Sequence, residues 1–79
     1  MMTLTVITPL GKVLEARVAK VFLPGGLSPF EVLRGHAPLV STLTEGIVRY
    51  EEDGTMKDYP LSGGFVKVEN DTIVVCTEK

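Results

Sequence analysis

Apolar and polar residues alternate over short stretches of the chain, and this period-two pattern predicts β-strands rather than helices. Residues Met2–Thr8 are rich in Thr, Val and Ile, and they place Leu4 and Val6 on one face. The same alternation recurs in residues 65–69, and residues 73–77 form the last predicted strand. We therefore expect an all-β domain.

Turn residues separate these stretches at intervals of roughly 8 to 12 residues, a spacing typical of sandwiches and barrels. Asp53-Gly54 is a favoured hairpin turn, and it joins predicted strands at residues 46–50 and 55–61. Because proline has no amide hydrogen, Pro60 fits the second of these strands only at a sheet edge or a strand end.

The face that carries the apolar residues changes within residues 14–23. Apolar residues occupy even positions up to Val18 and odd positions from Val21 onward. A slip of one residue moves side chains to the opposite face, so this segment needs either a bulge between Val18 and Val21 or a strand end buried on both faces. Either interpretation fits a strand that passes from one sheet to another.

Only residues 36–43 are ambiguous between helix and strand. Leu39, Val40 and Leu43 could line one helical turn, but Pro38 and the β-branched neighbours argue against it. No other segment between the turns is long enough for a helix. We predict a β-sandwich that occupies residues 1–79 as a single domain without substantial helix.

Composition excludes several function classes. The chain has 79 residues with 44% apolar and 23% charged residues, which is ordinary for one globular domain. Its net charge is −2, its aromatic residues are few, and it has no basic run, so we expect no nucleic-acid binding. No signal-peptide pattern and no long apolar stretch is present, so membrane contact is expected only through a partner.

Candidate chemistry is sparse. His36 and Cys76 are the only histidine and the only cysteine, so neither has the partner ligands that a metal site requires. Gly11-Lys12 lacks the flanking residues of a phosphate loop. The acidic run at residues 51–53 falls on a predicted hairpin tip, where solvated charge is expected. We therefore predict no catalytic residue, metal or cofactor, and a function based on protein contacts.

Motifs in the sequence indicate which proteins the chain contacts. The first is Leu23-Pro24-Gly25, then Phe30-x-Val32-Leu33-x-Gly35-His36-Ala37-Pro38-Leu39, with Leu43 and Gly46 following. The second is Ser62-Gly63-Gly64-Phe65-Val66-x-Val68, and Thr8-Pro9-x-Gly11 precedes both. Together they span essentially the whole chain in this order, and the combination resembles the signature of the ATP synthase ε subunit family.

The resemblance implies a β-sandwich of about ten strands that binds the γ subunit and the c-ring at the foot of a proton-driven rotor. Contact with the α and β subunits would be indirect. The domain would be peripheral, on the cytoplasmic side of a bacterial inner membrane. In the family a helical hairpin that carries inhibitory and nucleotide-sensing functions normally follows. The sequence stops at Lys79, directly after the last predicted strand, so we do not expect those functions here.

The resemblance also implies contact residues. We expect residues 28–36 to touch the c-ring or γ, and one sheet face that includes residues 39–43 to dock on γ. Core packing is an equally good explanation for the leucines among them. The predicted interface residues are Ser28, Pro29, Phe30, Glu31, Arg34, His36, Leu39 and Leu43. Predicted turn residues are Gly25, Gly35, Pro38, Gly63 and Gly64.

This chain departs from the family pattern in the loop that is expected to meet the ring. Pro29 stands where relatives often carry an acidic residue, and proline removes the charge and stiffens the loop. Glu31 supplies a negative group nearby. Arg34 stands where the family often has proline, which would add a cation to the interface.

Two other functions fit an all-β module. A stand-alone β-barrel that binds an oligonucleotide or a sugar would need a basic or aromatic face, which the acidic composition disfavours. A small enzyme or metal-binding domain would depend on His36. An exposed apolar docking surface would also give isolated chains a route to self-association.

Overall fold

The computed structural model describes residues 1–78, which form nine strands and no helix. This confirms the all-β prediction. The strands are β1 (Met2–Thr8), β2 (Gly11–Val18), β3 (Lys20–Leu23), β4 (Phe30–Leu33), β5 (Leu39–Leu43), β6 (Gly46–Glu52), β7 (Thr55–Leu61), β8 (Gly64–Glu69) and β9 (Thr72–Thr77).

The strands form two sheets that face each other across one core. The five-stranded sheet has the order β2-β1-β9-β8-β5, and the four-stranded sheet has the order β4-β3-β6-β7. All neighbouring strands are antiparallel except β1 and β9, which are parallel. An isolated bridge between Gly25 and Leu43 connects the sheets, so the described residues form nine strands and this bridge where about ten strands were expected.

The change of face in residues 14–23 marks a passage between the sheets. Strand β2 ends at Val18 in the five-stranded sheet, and β3 begins at Lys20 in the four-stranded sheet. Ala19 forms the corner, where its amide donates a 2.9 Å hydrogen bond to the carbonyl of Glu51. Val18 and Val21 are both completely buried, because each points into the same core from a different sheet.

A second corner lies between β5 and β6. Residues Leu39–Leu43 form strand β5 and not the helical turn considered for residues 36–43. The exposure of its side chains alternates along the strand, and Leu43 at its end is buried in the core. Only Thr44 and Glu45 separate it from β6 in the other sheet. The amide of Thr44 donates a 2.8 Å hydrogen bond to the carbonyl of Pro24, which holds this corner against the connection that follows β3.

The core consists of inward-facing residues from both sheets. Every described strand contributes to it, with Phe30 and Tyr59 packed at its margin beside Leu14 and Leu39. Its buried members are Met2, Leu4, Val6, Ala16, Val18, Val21, Leu23, Val32, Leu43, Val48, Tyr50, Leu61, Val66, Val68, Ile73 and Val75.

The hairpin turns use residues with positive φ, as their sequences predict. Asp53 and Gly54 have φ values of 52° and 77°, which suits a tight turn between β6 and β7. Asn70 and Asp71 make the corresponding turn between β8 and β9, with φ values of 51° and 58°. Pro60 lies in β7, an edge strand of the four-stranded sheet, where a missing amide hydrogen costs no ladder bond.

Gly64 has no room for a side chain against the neighbouring strand β9. Its φ is +145°, and a Cβ added there would overlap the carbonyl oxygen of Cys76 on β9. An alanine would therefore have to adopt an unfavourable backbone conformation and also push β8 away from β9.

We expect Gly64→Ala to lower the free energy of unfolding by about 3 kcal/mol or more, combining backbone strain with overpacking. The matched control is Gly54→Ala, since Gly54 has φ +77° but open space around the added Cβ. That change should cost only about 1 kcal/mol. Urea unfolding of both variants measures the difference, and equal destabilisation would contradict the proposed clash.

Candidate protein-interaction site

The predicted contact segment, residues 28–36, does not form one continuous loop. Strand β4 occupies its middle, so Ser28 and Pro29 lie before the strand and Arg34 and His36 lie after it. Four extended residues span about 13 Å. The structure therefore places the predicted interface residues at two opposite ends of the sandwich, with Phe30 half-buried and Glu31 exposed between them.

Strand registers show which connections share an end with Ser28 and Pro29. Leu43, Gly64 and Thr77 are neighbours across β5, β8 and β9, and Gly25 bridges to Leu43. Ile7 near the end of β1 pairs with Cys76, next to Thr77. The connections made by residues 9–10, 24–29, 44–45 and 62–63 therefore meet at one end, which we call the apolar loop end.

The connection at residues 24–29 is held close to β5. The amide of Gly26 donates a 3.0 Å hydrogen bond to the carbonyl of Thr42. A Cβ on Gly25 would lie 2.8 Å from the ring of Phe30 and would overlap the carbonyl of Ser28. Gly25 is thus required for close approach rather than for a positive φ, whereas the turn glycines Gly35, Gly63 and Gly64 do have positive φ.

Arg34 and His36 lie at the opposite end, in the connection from β4 to β5. Gly35, with φ +82°, donates a 2.8 Å backbone hydrogen bond to Oδ1 of Asp71 in the turn between β8 and β9. The His36 side chain is exposed, and its Nδ1 lies 2.7 Å from the carbonyl of Ala37. Within residues 1–78, no cluster of three or more His, Cys, Asp or Glu residues could hold a metal ion.

We expect Asp71→Ala to lower the free energy of unfolding by about 2 kcal/mol, since it removes the acceptor for Gly35 and places alanine at a φ of 58°. Asp71→Asn keeps a carbonyl acceptor and a residue that tolerates this φ, so it should stay within about 0.5 kcal/mol of wild type. Urea unfolding distinguishes the two. If Asn is as destabilising as Ala, the hydrogen bond does not hold this connection.

The outer face of the five-stranded sheet carries an exposed apolar patch. One row across the strands contains Ile7, Cys76 and Phe65, and the next contains Val74 and Val40. Phe65 is 49% exposed and Val40 is 70% exposed, although both lie in regular strands. We call these five residues the five-stranded face.

The five-stranded face differs from the predicted contact set in which β5 residues it presents. Leu43 points inward and is buried in the core, and Leu39 is partly buried against that core. Val40, which lies between them, points outward instead. The predicted docking segment, residues 39–43, includes Val40, but only its two leucines were named as interface residues, and Phe65 was not selected from the sequence. The period-two alternation of β5 contains the information that Val40 points outward.

The outer face of the four-stranded sheet has a different electrostatic character. Arg49 and Asp58 form an ion pair of 2.9 Å, and this hydrogen bond and the aspartate charge raise the pKa of Arg49. On the opposite face of the same hairpin, in line with the core residues Val48 and Tyr50, a hydrogen bond to Glu52 and its charge raise the pKa of Lys57. These pairs cross the β6–β7 hairpin and neutralise its charges locally.

The structure is an all-β sandwich with an exposed apolar patch on the outer face of its five-stranded sheet. Residues 1–79 match the family model described as ATP synthase, Delta/Epsilon chain, beta-sandwich domain. The chain therefore belongs to the ATP synthase delta/epsilon family, and this membership confirms both the resemblance and the expectation that the chain is not an enzyme.

Individual relatives agree. The chain is 37% identical over 76 residues to the ATP synthase epsilon chain of Desulfitobacterium hafniense, covering 96% of this chain and 58% of that protein. It is 40% identical over 72 residues to the ATP synthase epsilon chain of Citrifermentans bemidjiense, covering 91% of this chain and 52% of that protein. The chain thus spans little more than half the length of these relatives.

Solved structures show the same fold. A chain of the Euglena gracilis mitochondrial ATP synthase, in a structure of its OSCP, F1 and c-ring, superimposes with a TM-score of 0.90 at 27% identity. That match covers 99% of this chain and 51% of the other. A chain from the central stalk and c-ring of the Tetrahymena thermophila enzyme has a TM-score of 0.81 at 15% identity, which supports the fold alone, covering 99% and 63%. Among residues 1–78, no helix is long and apolar enough to cross a membrane.

Proposed function

We infer that this chain is the sandwich domain of an ε-type central-stalk subunit, which binds γ and the c-ring of a rotary, proton-translocating ATP synthase. The observation that carries this proposal is the family match over the whole chain. In this role the domain helps couple rotation of the ring to ATP synthesis elsewhere in the complex. It reaches the membrane surface, on the cytoplasmic side in a bacterium, only through its partners.

The five-stranded face supports the proposed contact with γ. Its apolar side chains lie in adjacent rows on strands whose opposite side is fixed by the core, so the patch is pre-formed. Burying Phe65 and Val40 would remove their apolar surface from water, which favours association. Lys67, between Val40 and Val74 in the second row, supplies the charged member of this surface.

The apolar loop end supports the proposed contact with the ring. Ser28 and Pro29 lie there, at the position where the resemblance implies contact with the polar loops of the ring. The close approach of Gly25 to Phe30 and the hydrogen bond from Gly26 to Thr42 hold this connection against the sheet. Contact with γ and contact with the ring therefore use different surfaces of one domain.

The core explains how such a domain transmits torque. A close-packed interior deforms little. In addition, the chain passes directly from one sheet to the other at Ala19 and at Thr44, so the two sheets are joined covalently at two short corners. A force applied at the loop end is therefore carried to the five-stranded face without large internal movement.

We expect the double variant Val40→Asp, Phe65→Asp to weaken binding to the γ subunit of the same organism by at least about a hundredfold, because two apolar side chains lose their burial. Isothermal titration calorimetry with purified γ measures this. Circular dichroism should show an unchanged fold, since both side chains point outward. The same change should reduce any self-association of the isolated chain.

The matched control is Ile47→Asp on the outer face of the four-stranded sheet. Ile47 is 51% exposed, close to the value for Phe65, but it lies on the opposite outer surface. It should leave γ binding within threefold of wild type. If Ile47→Asp abolishes binding while the double variant does not, γ docks on the four-stranded sheet. If wild type itself does not bind γ, the stalk assignment is wrong.

A further inference from the structure

One charged side chain lies among the apolar residues of the five-stranded face. Lys67 on β8 pairs with Val40 on β5 and with Val74 on β9, so it has an apolar neighbour on each side. Phe65 precedes it on the same side of the strand. The other charged residues on this outer surface lie on the edge strand β2 or at the end of β8, and they are Lys12, Glu15, Arg17 and Glu69. Lys67 is therefore the charged residue that a partner covers together with the apolar patch.

Glu69 lies at the rim of this patch and not inside it. It pairs with Thr72 on β9, and the pairing of β5 with β8 begins at Val68, so no β5 residue lies beside Glu69. A partner that covers the apolar patch removes water from Lys67, whereas the Glu69 carboxylate stays at the edge of the contact, where water reaches it.

The ion pair that Lys67 forms within the chain is weak. Its Nζ lies 3.7 Å from Oε1 of Glu69, which is too long for a hydrogen bond. The two side chains are 60% and 54% exposed, and ion pairs of this kind contribute little in water. By contrast, Lys57 donates a 2.8 Å hydrogen bond to Glu52. The Lys67 ammonium group thus remains available to an acceptor on a partner.

Beside Lys67 the surface forms an open depression of about 300 Å³. Its lining residues are Lys67, Glu69, Asn70, Thr72 and Val74. Lys67 is the one cation among them, and Val74 supplies an apolar wall. Because a water molecule takes up about 30 Å³ of liquid volume, the depression has room for an acidic side chain of a partner next to the ammonium group.

Dehydration decides which chemistry a partner needs at this point. An ammonium group that loses its water without a compensating group is costly, and the side chains of Val40 and Val74 cannot accept a hydrogen bond. A carboxylate that reaches Lys67 offsets this cost, because the ion pair is stronger once water is excluded. A cation at the same place would be repelled.

We propose that Lys67 is a specificity-determining residue of the γ contact, and that it pairs with a carboxylate side chain of γ held in this depression. The proposal rests on the proposed function, which assigns the five-stranded face to γ. Burial of the apolar residues is non-directional and provides affinity, whereas the ion pair fixes the register of the two surfaces. A subunit with an apolar or cationic residue at this point is disfavoured, because it leaves the ammonium group unpaired.

The test measures binding of the purified γ subunit of the same organism by isothermal titration calorimetry. Lys67→Met keeps a long side chain but removes the charge, so it should weaken binding at least about tenfold, because the γ carboxylate is left unpaired. Lys67→Glu brings two carboxylates together and should weaken binding at least about a hundredfold. Lys67→Arg restores the charge and should recover most of the loss. Circular dichroism should show the same fold for all three, since Lys67 points outward.

The matched control is Lys20→Met. Lys20 also has a loosely held partner, because its Nζ lies 3.6 Å from Oε1 of Glu51, and it pairs with Leu33 on the outer face of the four-stranded sheet. This change should leave γ affinity within about twofold of wild type, since an exposed ion pair outside the contact contributes little. Glu69→Gln should bind γ at least as tightly as wild type, because it removes the carboxylate that competes for Lys67.

Double-mutant cycles identify the partner carboxylate. The acidic residues of γ are changed one at a time to their amides, and each variant is titrated with wild type and with Lys67→Met. One change should weaken binding to wild type at least about tenfold but leave binding to Lys67→Met nearly unaltered, because the two groups act as a pair. If no acidic residue of γ couples to Lys67, the proposal is overturned.

The remaining outcomes separate this proposal from the assignment of γ. If Lys67→Met binds γ as tightly as wild type or more tightly, the ammonium group keeps its water in the complex, and the carboxylate pair is overturned while docking on the five-stranded face stands. If Glu69→Gln weakens binding as much as Lys67→Met does, γ recognises the ion pair within the chain, and the proposal is again overturned. If wild type does not bind γ, the proposed function itself fails.

Discussion

The structure depends on one core that two sheets share through two strand corners. At Ala19 and at Thr44 the chain leaves one sheet and enters the other within one or two residues, and the side chains on either side, Val18, Val21 and Leu43, remain buried. At each corner a backbone amide donates a hydrogen bond to a carbonyl elsewhere in the chain, from Ala19 to Glu51 and from Thr44 to Pro24. The corners bring the inner face of one sheet against the inner face of the other. The apolar side chains of both sheets can therefore pack into one core in this small domain.

Much of this fold is encoded locally and could be predicted. Asp53-Gly54 specifies its hairpin because both residues accept positive φ, and the change of parity between Val18 and Val21 predicts a passage between sheets because only one face of each sheet can be buried. The pairing order could not be predicted. The parallel contact between β1 and β9 joins the two ends of the sequence, and no local pattern reports such a long-range partner.

The candidate site, like the fold, could be predicted from the sequence only in part. Motif resemblance located the segment around residues 28–36, but β4 divides it, because residues 30–33 alternate as a strand and pair with β3. The large apolar residues that the structure exposes most, Leu10 and Leu27, have no signature in the sequence, because a leucine in a turn is equally compatible with core packing. Exposure is a property of three-dimensional packing. It therefore became visible only when the loops were placed relative to the sheets.

The two proposed surfaces make different physical demands on the same sandwich. The five-stranded face is built from strand residues, so its geometry follows directly from the core beneath Val40 and Phe65. The apolar loop end has no such support, and it obtains its rigidity from Pro9, Pro24 and the glycines that let residues 24–29 approach β5. A rotor component needs both surfaces to stay in register as torque passes through it. The glycines and prolines at this end thus give the loops a stiffness that the strands already have.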